Sequence, residues 1–112
     1  VVGIDAKDGF VAIHGWEQTS DLTAIAFAKR VEELGVKTVI YTDISRDGML
    51  KGPNLAAMSE MSKAVGIEVI ASGGVSCLKD ITDLKTTGVR GVIVGKALYT
   101  GDVDLKSALM AI

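Results

Sequence analysis

The chain has 112 residues, of which 48% are hydrophobic and 23% charged, and its formal net charge at pH 7 is -2. This composition is ordinary for one globular domain that is large enough to bury a core. Because Lys and Arg are scattered and the net charge is slightly negative, we expect neither a nucleic acid nor a membrane as a partner.

The single cysteine, Cys77, excludes a disulfide within the chain and favours a reducing compartment, so we expect a cytoplasmic protein. No apolar run reaches the roughly 20 residues of a membrane span, and we expect no signal peptide. The sequence opens on Val-Val-Gly-Ile-Asp, an apolar run without an initiator Met. That opening predicts a fragment or a processed product.

The first third of the chain predicts a strand, a hairpin and a helix. Residues 1–5 form the first strand, and Asp8-Gly9 is a strong hairpin signal that leads into a second extended run over 10–13. Thr19-Ser20-Asp21 predicts the start of a helix, with Ser20 as its N-cap. The apolar positions that give this helix its inward face are Leu22, Ile25, Phe27, Val31 and Leu34.

Three more strand–helix units follow. Each new strand begins after a helix-like stretch that ends in Gly-Val or Gly-Ile, a pattern typical of a helix end followed by a strand. The predicted strands cover residues 37–42, 67–71 and 91–94. The predicted helices begin at Pro53-Asn54, run from about Cys77 to Thr87, and cover 103–112 after a short turn at 96–100.

The predicted fold is α/β: four βα units that form half of a (β/α)8 barrel, with an extra hairpin after the first strand. The strands are continuous apolar runs, which predicts parallel pairing with both faces covered. Four such units with right-handed crossovers are half of a barrel of ~250 residues. A four-stranded, flavodoxin-like open sheet is the alternative. Nothing divides the chain, so residues 1–112 are predicted to be a single half-barrel domain.

Two glycine turns follow the last two predicted strands: Ser72-Gly73-Gly74 and Gly95-Lys96. Glycine lets backbone N–H groups approach an anion closely, and a helix start adds the positive end of its dipole. The last two loops of a (β/α)8 barrel hold a phosphate in this way. The pair therefore predicts a phosphate ester as ligand and the C-terminal half of a barrel, although Ser-Gly-Gly alone is also compatible with a plain βα turn.

Polar residues end the first two parallel strands. Asp5 terminates an apolar run, where a carboxylate is costly to bury unless it is paired, bonded to loop N–H groups or catalytic. The next strand is followed by Thr42, Asp43, Arg46 and Asp47. An Asp43–Arg46 ion pair and a simple turn at Asp47 are the structural alternatives to a catalytic role.

Trp16 is the only tryptophan and follows the hairpin. Beside the end of the barrel it could stack on a planar ligand, or it could pin the hairpin to the next helix. His14 is expected to be solvated. The sequence contains no metal-ligand spacing and no nucleophile triad motif, so we expect no metal and no cofactor.

Five stretches together resemble the ProFAR isomerase family of histidine biosynthesis, whose members are (β/α)8 barrels. They run through nearly the whole chain and match the C-terminal half of the barrel: Gly3 to Gly9, Gly15-Trp16, Tyr41 to Gly48, Ala71 to Val75 and Gly91 to Tyr99. The sister cyclase of imidazole glycerol phosphate synthase shares the phosphate turns. It lacks the Gly-Trp loop and the Thr-Asp-Ile-Ser-Arg-Asp-Gly segment, so it is the second choice.

This resemblance implies an Amadori rearrangement, in which an aminoaldose phosphate opens its ring and becomes the aminoketose. Asp5 matches the family's proton donor, and Thr42 and Asp47 match residues that position the substrate and support that acid. Trp16 matches a loop residue that folds over the planar imidazole carboxamide. The residues that match the phosphate site of this half are Ser72, Gly73, Gly74, Gly95 and Lys96.

The resemblance also implies a substrate with two phosphates, one held by each half of the barrel. The family's proton acceptor and the second phosphate site lie in the other half, so we expect the isolated chain to be inactive or nearly so. Exposed parallel strand edges predict pairing with an N-terminal half-barrel or with a second copy in a homodimer. A non-catalytic, self-associating half-barrel that binds phosphate is the alternative.

Overall fold

The computed structural model of the chain describes residues 1–13, 18–47, 49 and 51–107. These ranges contain six strands, four helices and a further helical segment at 105–107. In chain order the strands and the four helices are β1 (Val2–Lys7), β2 (Phe10–Ile13), β3 (Gln18–Thr23), α1 (Ala24–Glu33), β4 (Thr38–Asp43), α2 (Leu55–Ala64), β5 (Glu68–Ser72), α3 (Leu78–Lys85), β6 (Gly91–Val92) and α4 (Lys96–Thr100).

The strands form one sheet in the order β3-β2-β1-β4-β5-β6. The pairs β1–β4, β4–β5 and β5–β6 are parallel, and β2 and β3 add an antiparallel hairpin beside β1. In a flavodoxin-like sheet the strand order reverses at a switch point. Here the parallel strands follow chain order, as they do around a barrel. The structure thus confirms the predicted α/β class and is that of a partial (β/α) barrel.

The hairpin after β1 has the predicted turn. Asp8 and Gly9 both have positive φ, 54° and 84°, which is the backbone that a two-residue type I′ turn requires. The antiparallel pairing joins the carboxyl end of β1, at Ala6 and Lys7, to β2. The hairpin therefore covers one side of β1 next to the end where a barrel carries its chemistry.

The predicted start of the first helix is wrong. Residues 18–23 form β3, which pairs antiparallel with β2, and the helix begins at Ala24. The N-cap is Thr23, whose hydroxyl accepts from the Ala26 N–H at 3.2 Å. The Ser20 hydroxyl instead donates to the Val11 carbonyl at 2.8 Å, across the hairpin. Both residues suit an N-cap, and the strand pairing decides between them.

The remaining elements lie close to the predicted ones. The side chain of Asn54 caps α2, accepting from the Ala57 N–H at 3.1 Å. Strand β6 has two residues where four were predicted. His14, Trp16 and the last part of the helix predicted over 103–112 lie outside the described residues.

The helices lie along one face of the sheet. Helix α2 contacts both α1 and α3, and the buried strand residues alternate with half-buried ones, as expected when one face is packed. The buried strand residues on this face are Ile4, Ala6, Val39, Tyr41, Val69 and Ala71, and the helices add Ala28, Met58, Met61 and Leu84.

The other face of the sheet is covered less well. Ile40 and Ile70 on this face are half-buried, and Ile93 is 43% exposed. The expectation that both faces are covered therefore holds only for the helical face of the described chain. In a complete barrel the second face is the interior, which side chains from all eight strands fill.

Candidate active site

Three polar side chains form a row across the sheet. Asp5 on β1 is the register partner of Thr42 on β4, which in turn is the partner of Ser72 on β5. Register partners on parallel strands point to the same face, and these positions alternate with the ones packed against the helices. The row lies on the open face at the carboxyl ends of the strands, where barrel enzymes place their catalytic groups.

The three members of this row differ in exposure. Thr42 is 8% exposed, whereas Asp5 and Ser72 are half-buried. All three lie within strands, so their backbone positions are fixed by the sheet. A carboxyl group beside two hydroxyl groups at strand ends can exchange a proton with a bound ligand.

Asp43, one residue after Thr42, has a structural role. Its side chain is buried, and one carboxylate oxygen accepts from the Ser45 N–H at 3.0 Å and from the Ser45 hydroxyl at 2.5 Å. The other oxygen accepts from the Asn54 side-chain amide at 2.8 Å. Because Asn54 also caps α2, Asp43 ties the end of β4 to the start of that helix.

Arg46 does not form the ion pair with Asp43 that the sequence allowed. Its guanidinium donates to the carbonyls of Gly52 and Pro53, at 3.0 Å and 3.2 Å. This contact folds the β4–α2 loop (residues 44–54) back on itself. The charge of Arg46 is therefore used to hold backbone carbonyls, which are strong acceptors for a charged donor.

Asp47 combines a turn with an exposed side chain. Its backbone N–H donates to the Asp43 carbonyl at 3.1 Å, as expected of a simple turn. The side chain is exposed to solvent. Asp43, the last residue of β4, is thus bound within the fold, whereas the side chain of Asp47 in the loop is exposed.

The first glycine turn packs tightly against the β4–α2 loop. Gly73 and Gly74 have φ of 103° and 87°, a backbone that residues with a Cβ rarely adopt. A Cβ on Gly73 would lie 2.7 Å from the Asp43 carbonyl oxygen, and one on Gly74 would lie 2.5 Å from the Gly52 carbonyl oxygen. Glycine is therefore required here by packing, whether or not a ligand binds.

Sequence reasoning missed Ser76. Its hydroxyl donates to the Gly74 carbonyl at 2.8 Å and accepts from the Gly52 N–H at 2.9 Å, so it joins the turn to the loop. The Asp80 carboxylate accepts from the N–H groups of Ser76 and Cys77, at 2.8 Å and 3.3 Å. The capping-box spacing of Cys77 and Asp80 could have predicted this helix start, but no local signal indicated the bond to Gly52.

The second glycine turn lies beyond the neighbouring strand. The Ile93 N–H donates to the Ala71 carbonyl at 2.9 Å. The chain therefore continues beside β5 for a further residue after β6 ends at Val92. Gly95 then caps the short helix α4, has a φ of -111° and is exposed. Lys96, the first residue of α4, is also exposed. The two turns therefore follow adjacent strands at the same end of the sheet.

Tyr41 lies next to Thr42 but on the helical face. The residue is 5% exposed, and it lines a cavity of about 780 Å³ near the starts of α1 and α2. Burial raises the pKa of its hydroxyl above the ordinary value of 10.0, and the negative charges of Asp43 and Glu60 raise that pKa further. Because it faces away from the row of Asp5, Thr42 and Ser72, Tyr41 is not part of the candidate site.

Two further properties concern the described part of the chain. None of its helices has the length and apolar character needed to cross a membrane. It also contains no cluster of three or more His, Cys, Asp or Glu side chains placed to hold a metal ion.

A family model described as "Histidine biosynthesis protein" matches residues 1–104. The chain belongs to this family. It is 77% identical over 111 residues to a protein of Ruminiclostridium cellulolyticum, a match that covers 99% of this chain and 47% of the relative. A protein of Acetivibrio thermocellus is 73% identical over 109 residues, covering 97% of this chain and 46% of that relative.

Both relatives are named as isomerases of an imidazole-4-carboxamide that carries two phosphoribosyl groups, that is, as ProFAR isomerases. A protein with the same name from Gloeothece citriformis is 55% identical over 115 residues, covering 100% of this chain and 45% of that relative. These matches confirm the resemblance to ProFAR isomerase. The chain spans about half the length of the curated relatives it matches.

Proposed function

We propose that the chain is the C-terminal half of an aldose–ketose isomerase that converts ProFAR to its ribulose isomer in histidine biosynthesis. The names of the relatives support this reaction. The observation that carries the proposal is the row of Asp5, Thr42 and Ser72 at the carboxyl ends of three adjacent parallel strands.

In the proposed reaction, Asp5 is the general acid. Its carboxyl group gives a proton to the ring oxygen of the aminoaldose as the bond between that oxygen and the anomeric carbon breaks. A second carboxyl group, supplied by the other half of the barrel, removes the proton from the adjacent carbon and leaves an enolamine. Loss of the enol proton and protonation of the former anomeric carbon then give the aminoketose. Thr42 lies next to Asp5 in the register and positions the substrate, together with Asp47 from the loop after β4. Each acid or base contributes roughly 10²–10⁴-fold to the rate.

We further propose that the two glycine turns hold one of the substrate's two phosphates. Gly73 and Gly74 follow β5, and Gly95 follows the adjacent β6, so their backbones can approach the same anion from neighbouring strands. In this proposal the Ser72 hydroxyl donates a hydrogen bond to the phosphate, and the positive charge of Lys96 attracts it. Trp16, which lies outside the described residues, is proposed to fold over the imidazole carboxamide.

The proposed partner is the other half-barrel, which carries the proton acceptor and the second phosphate site. The partly exposed residues of the open face, Ile40, Ile70 and Ile93, fit the interior of a barrel that a second half completes. Edge strand β6 offers a place for pairing. The same open face favours a second candidate, a phosphate-binding half-barrel that self-associates as a homodimer without catalysis.

The exposed free thiol of Cys77 fits a cytoplasmic location.

The test joins this chain to the part of the Ruminiclostridium relative that the match does not cover, and it measures isomerisation of ProFAR. We expect turnover by the joined protein and very little by the 112-residue chain alone. Asp5→Asn should lower kcat about 10²–10⁴-fold. Asp8→Asn, a matched change at an exposed turn residue, should leave kcat within about threefold of the parent.

The opposite results would reject the proposal in distinct ways. Turnover by the isolated chain at the rate of the joined protein would show that the second half is not needed. Equal activity in the Asp5→Asn and Asp8→Asn variants would remove Asp5 from the role of acid. An inactive joined protein that still binds phosphate would favour the self-associating half-barrel, and light scattering would then have to show a dimer.

A further inference from the structure

The β4–α2 loop and the turn between β5 and α3 (residues 73–77) are joined by several short contacts. They matter together because each segment carries part of the proposed site. The loop carries Asp47, and the turn carries the glycines that follow Ser72. Any change in the distance between the two segments would move Asp47 relative to the proposed phosphate.

Backbone packing makes the first set of contacts. The positions of Gly73 and Gly74 lie so close to the Asp43 and Gly52 carbonyls that neither has room for a Cβ. A Cβ on Gly74 would also lie 2.9 Å from the Cβ of Arg46. The turn therefore rests directly on the loop, without intervening side chains of its own.

Two polar side chains make the second set. The Ser76 hydroxyl uses its only proton to reach the Gly74 carbonyl, and it accepts from the Gly52 N–H, 24 residues away in the chain. The Arg46 guanidinium holds the Gly52 carbonyl from the other side, so both polar groups of the Gly52 residue are bound. Asp80 fixes the backbone of Ser76 by accepting from its N–H.

We propose that Ser76 and Arg46 are positioning residues that clamp the phosphate-binding turn to the loop that carries Asp47. This inference rests on the proposed function, because it assigns the clamp a role in holding the phosphate of that substrate. Gly52 is the shared point of the clamp: Ser76 binds its N–H and Arg46 binds its carbonyl. Without the Ser76 hydroxyl the Gly52 N–H loses its acceptor, and without the Arg46 guanidinium the Gly52 carbonyl loses its donor. Either loss lets the turn and the loop separate.

The central variant is Ser76→Ala, with Ser76→Thr as the rescue that keeps the hydroxyl. Ser62→Ala is the matched control, since the Ser62 hydroxyl is buried on α2 and has no hydrogen-bond partner among the described residues. Arg46→Lys is a second variant, which keeps the charge but loses the planar guanidinium. It tests the same clamp if Ser76→Ala folds poorly.

The first readout does not depend on function. In the 112-residue chain, amide exchange followed by NMR should show that Ser76→Ala lowers protection of the Gly52 N–H about tenfold, whereas Ser76→Thr and Ser62→Ala do not. Unchanged protection of Gly52 in both Ser76→Ala and Arg46→Lys would overturn the clamp, whatever the protein catalyses.

The second readout is binding and catalysis. We expect Ser76→Ala to weaken binding of inorganic phosphate to the chain about tenfold. In the joined isomerase it should raise KM for ProFAR by a similar factor and change kcat by less than about threefold. A fall in kcat with unchanged KM and phosphate affinity would overturn the positioning role. If the unsubstituted chain binds no phosphate, the proposed phosphate site is wrong, and the exchange of Gly52 alone decides whether the clamp exists.

Discussion

The two glycine turns look alike in the sequence but differ in the structure. Gly73 and Gly74 have left-handed backbones and lie against carbonyl oxygens that exclude a Cβ. Gly95 is exposed, has a negative φ, and an added Cβ would meet no heavy atom of the described residues within 4 Å. Packing thus requires glycine in the first turn, whereas packing within the described chain makes no such demand at Gly95. Measurements of the unfolding free energy and of phosphate affinity should therefore distinguish the roles of glycine in the two turns.

The largest expected effect on stability is that of Gly74→Ala. The new Cβ would collide with the Gly52 carbonyl in a backbone that disfavours it, and we expect the free energy of unfolding to fall by about 3 kcal/mol or more. Gly95→Ala should change it by less than about 1 kcal/mol. Urea unfolding of both variants measures this difference. Equal losses of stability would contradict the distinction between the turns.

A second pair of variants compares the last residue of β4 with a residue of the loop that follows it. Asp43→Ala should lower the free energy of unfolding by about 2–3 kcal/mol, because Ser45 and Asn54 lose their buried acceptor. Asp47→Ala, at an exposed site, should change stability by about 0.5 kcal/mol or less and instead lower activity in the joined isomerase. A stable Asp43→Ala protein, shown by the same urea titration, would contradict the structural role of Asp43.

The smallest effect concerns Tyr41 and appears only at high pH. Burial raises the pKa of its hydroxyl in the folded state, so above about pH 10 the folded chain retains a proton that the unfolded chain has lost. Stability should therefore fall as pH rises through this range. In Tyr41→Phe that fall should be smaller, while the two proteins remain close in stability at pH 7. Identical pH profiles of the unfolding free energy for the two proteins would argue against the raised pKa.

The sequence was sufficient where local patterns determine structure. The hairpin at Asp8-Gly9, the cap at Asn54 and the chain-ordered parallel strands all follow from turn chemistry, capping and apolar runs. The alignment of Asp5, Thr42 and Ser72 follows from their positions at strand ends. These features could be predicted because neighbouring residues specify them.

Features set by contacts between distant residues could not be predicted. Ser20 and Thr23 are both good N-caps, and pairing of β3 with β2 decides which one is used. Asp43 and Asp47 are the same residue type, and the hydrogen bond from the distant Asn54 side chain, which helps make Asp43 structural, leaves no local pattern. The bond between Ser76 and Gly52 spans 24 residues and leaves no local pattern.

Under the proposed function, the turn at Gly73-Gly74 and the turn at Gly95 hold one phosphate, and titration of the chain with inorganic phosphate, followed by NMR, checks this. We expect the amide signals of Gly73, Gly74 and Gly95 to shift together and to saturate with one dissociation constant. The amide signals of Gly35 and Gly66, at the opposite end of the sheet, should not shift. A response from only one turn, or saturation of the two turns at different phosphate concentrations, would contradict the claim.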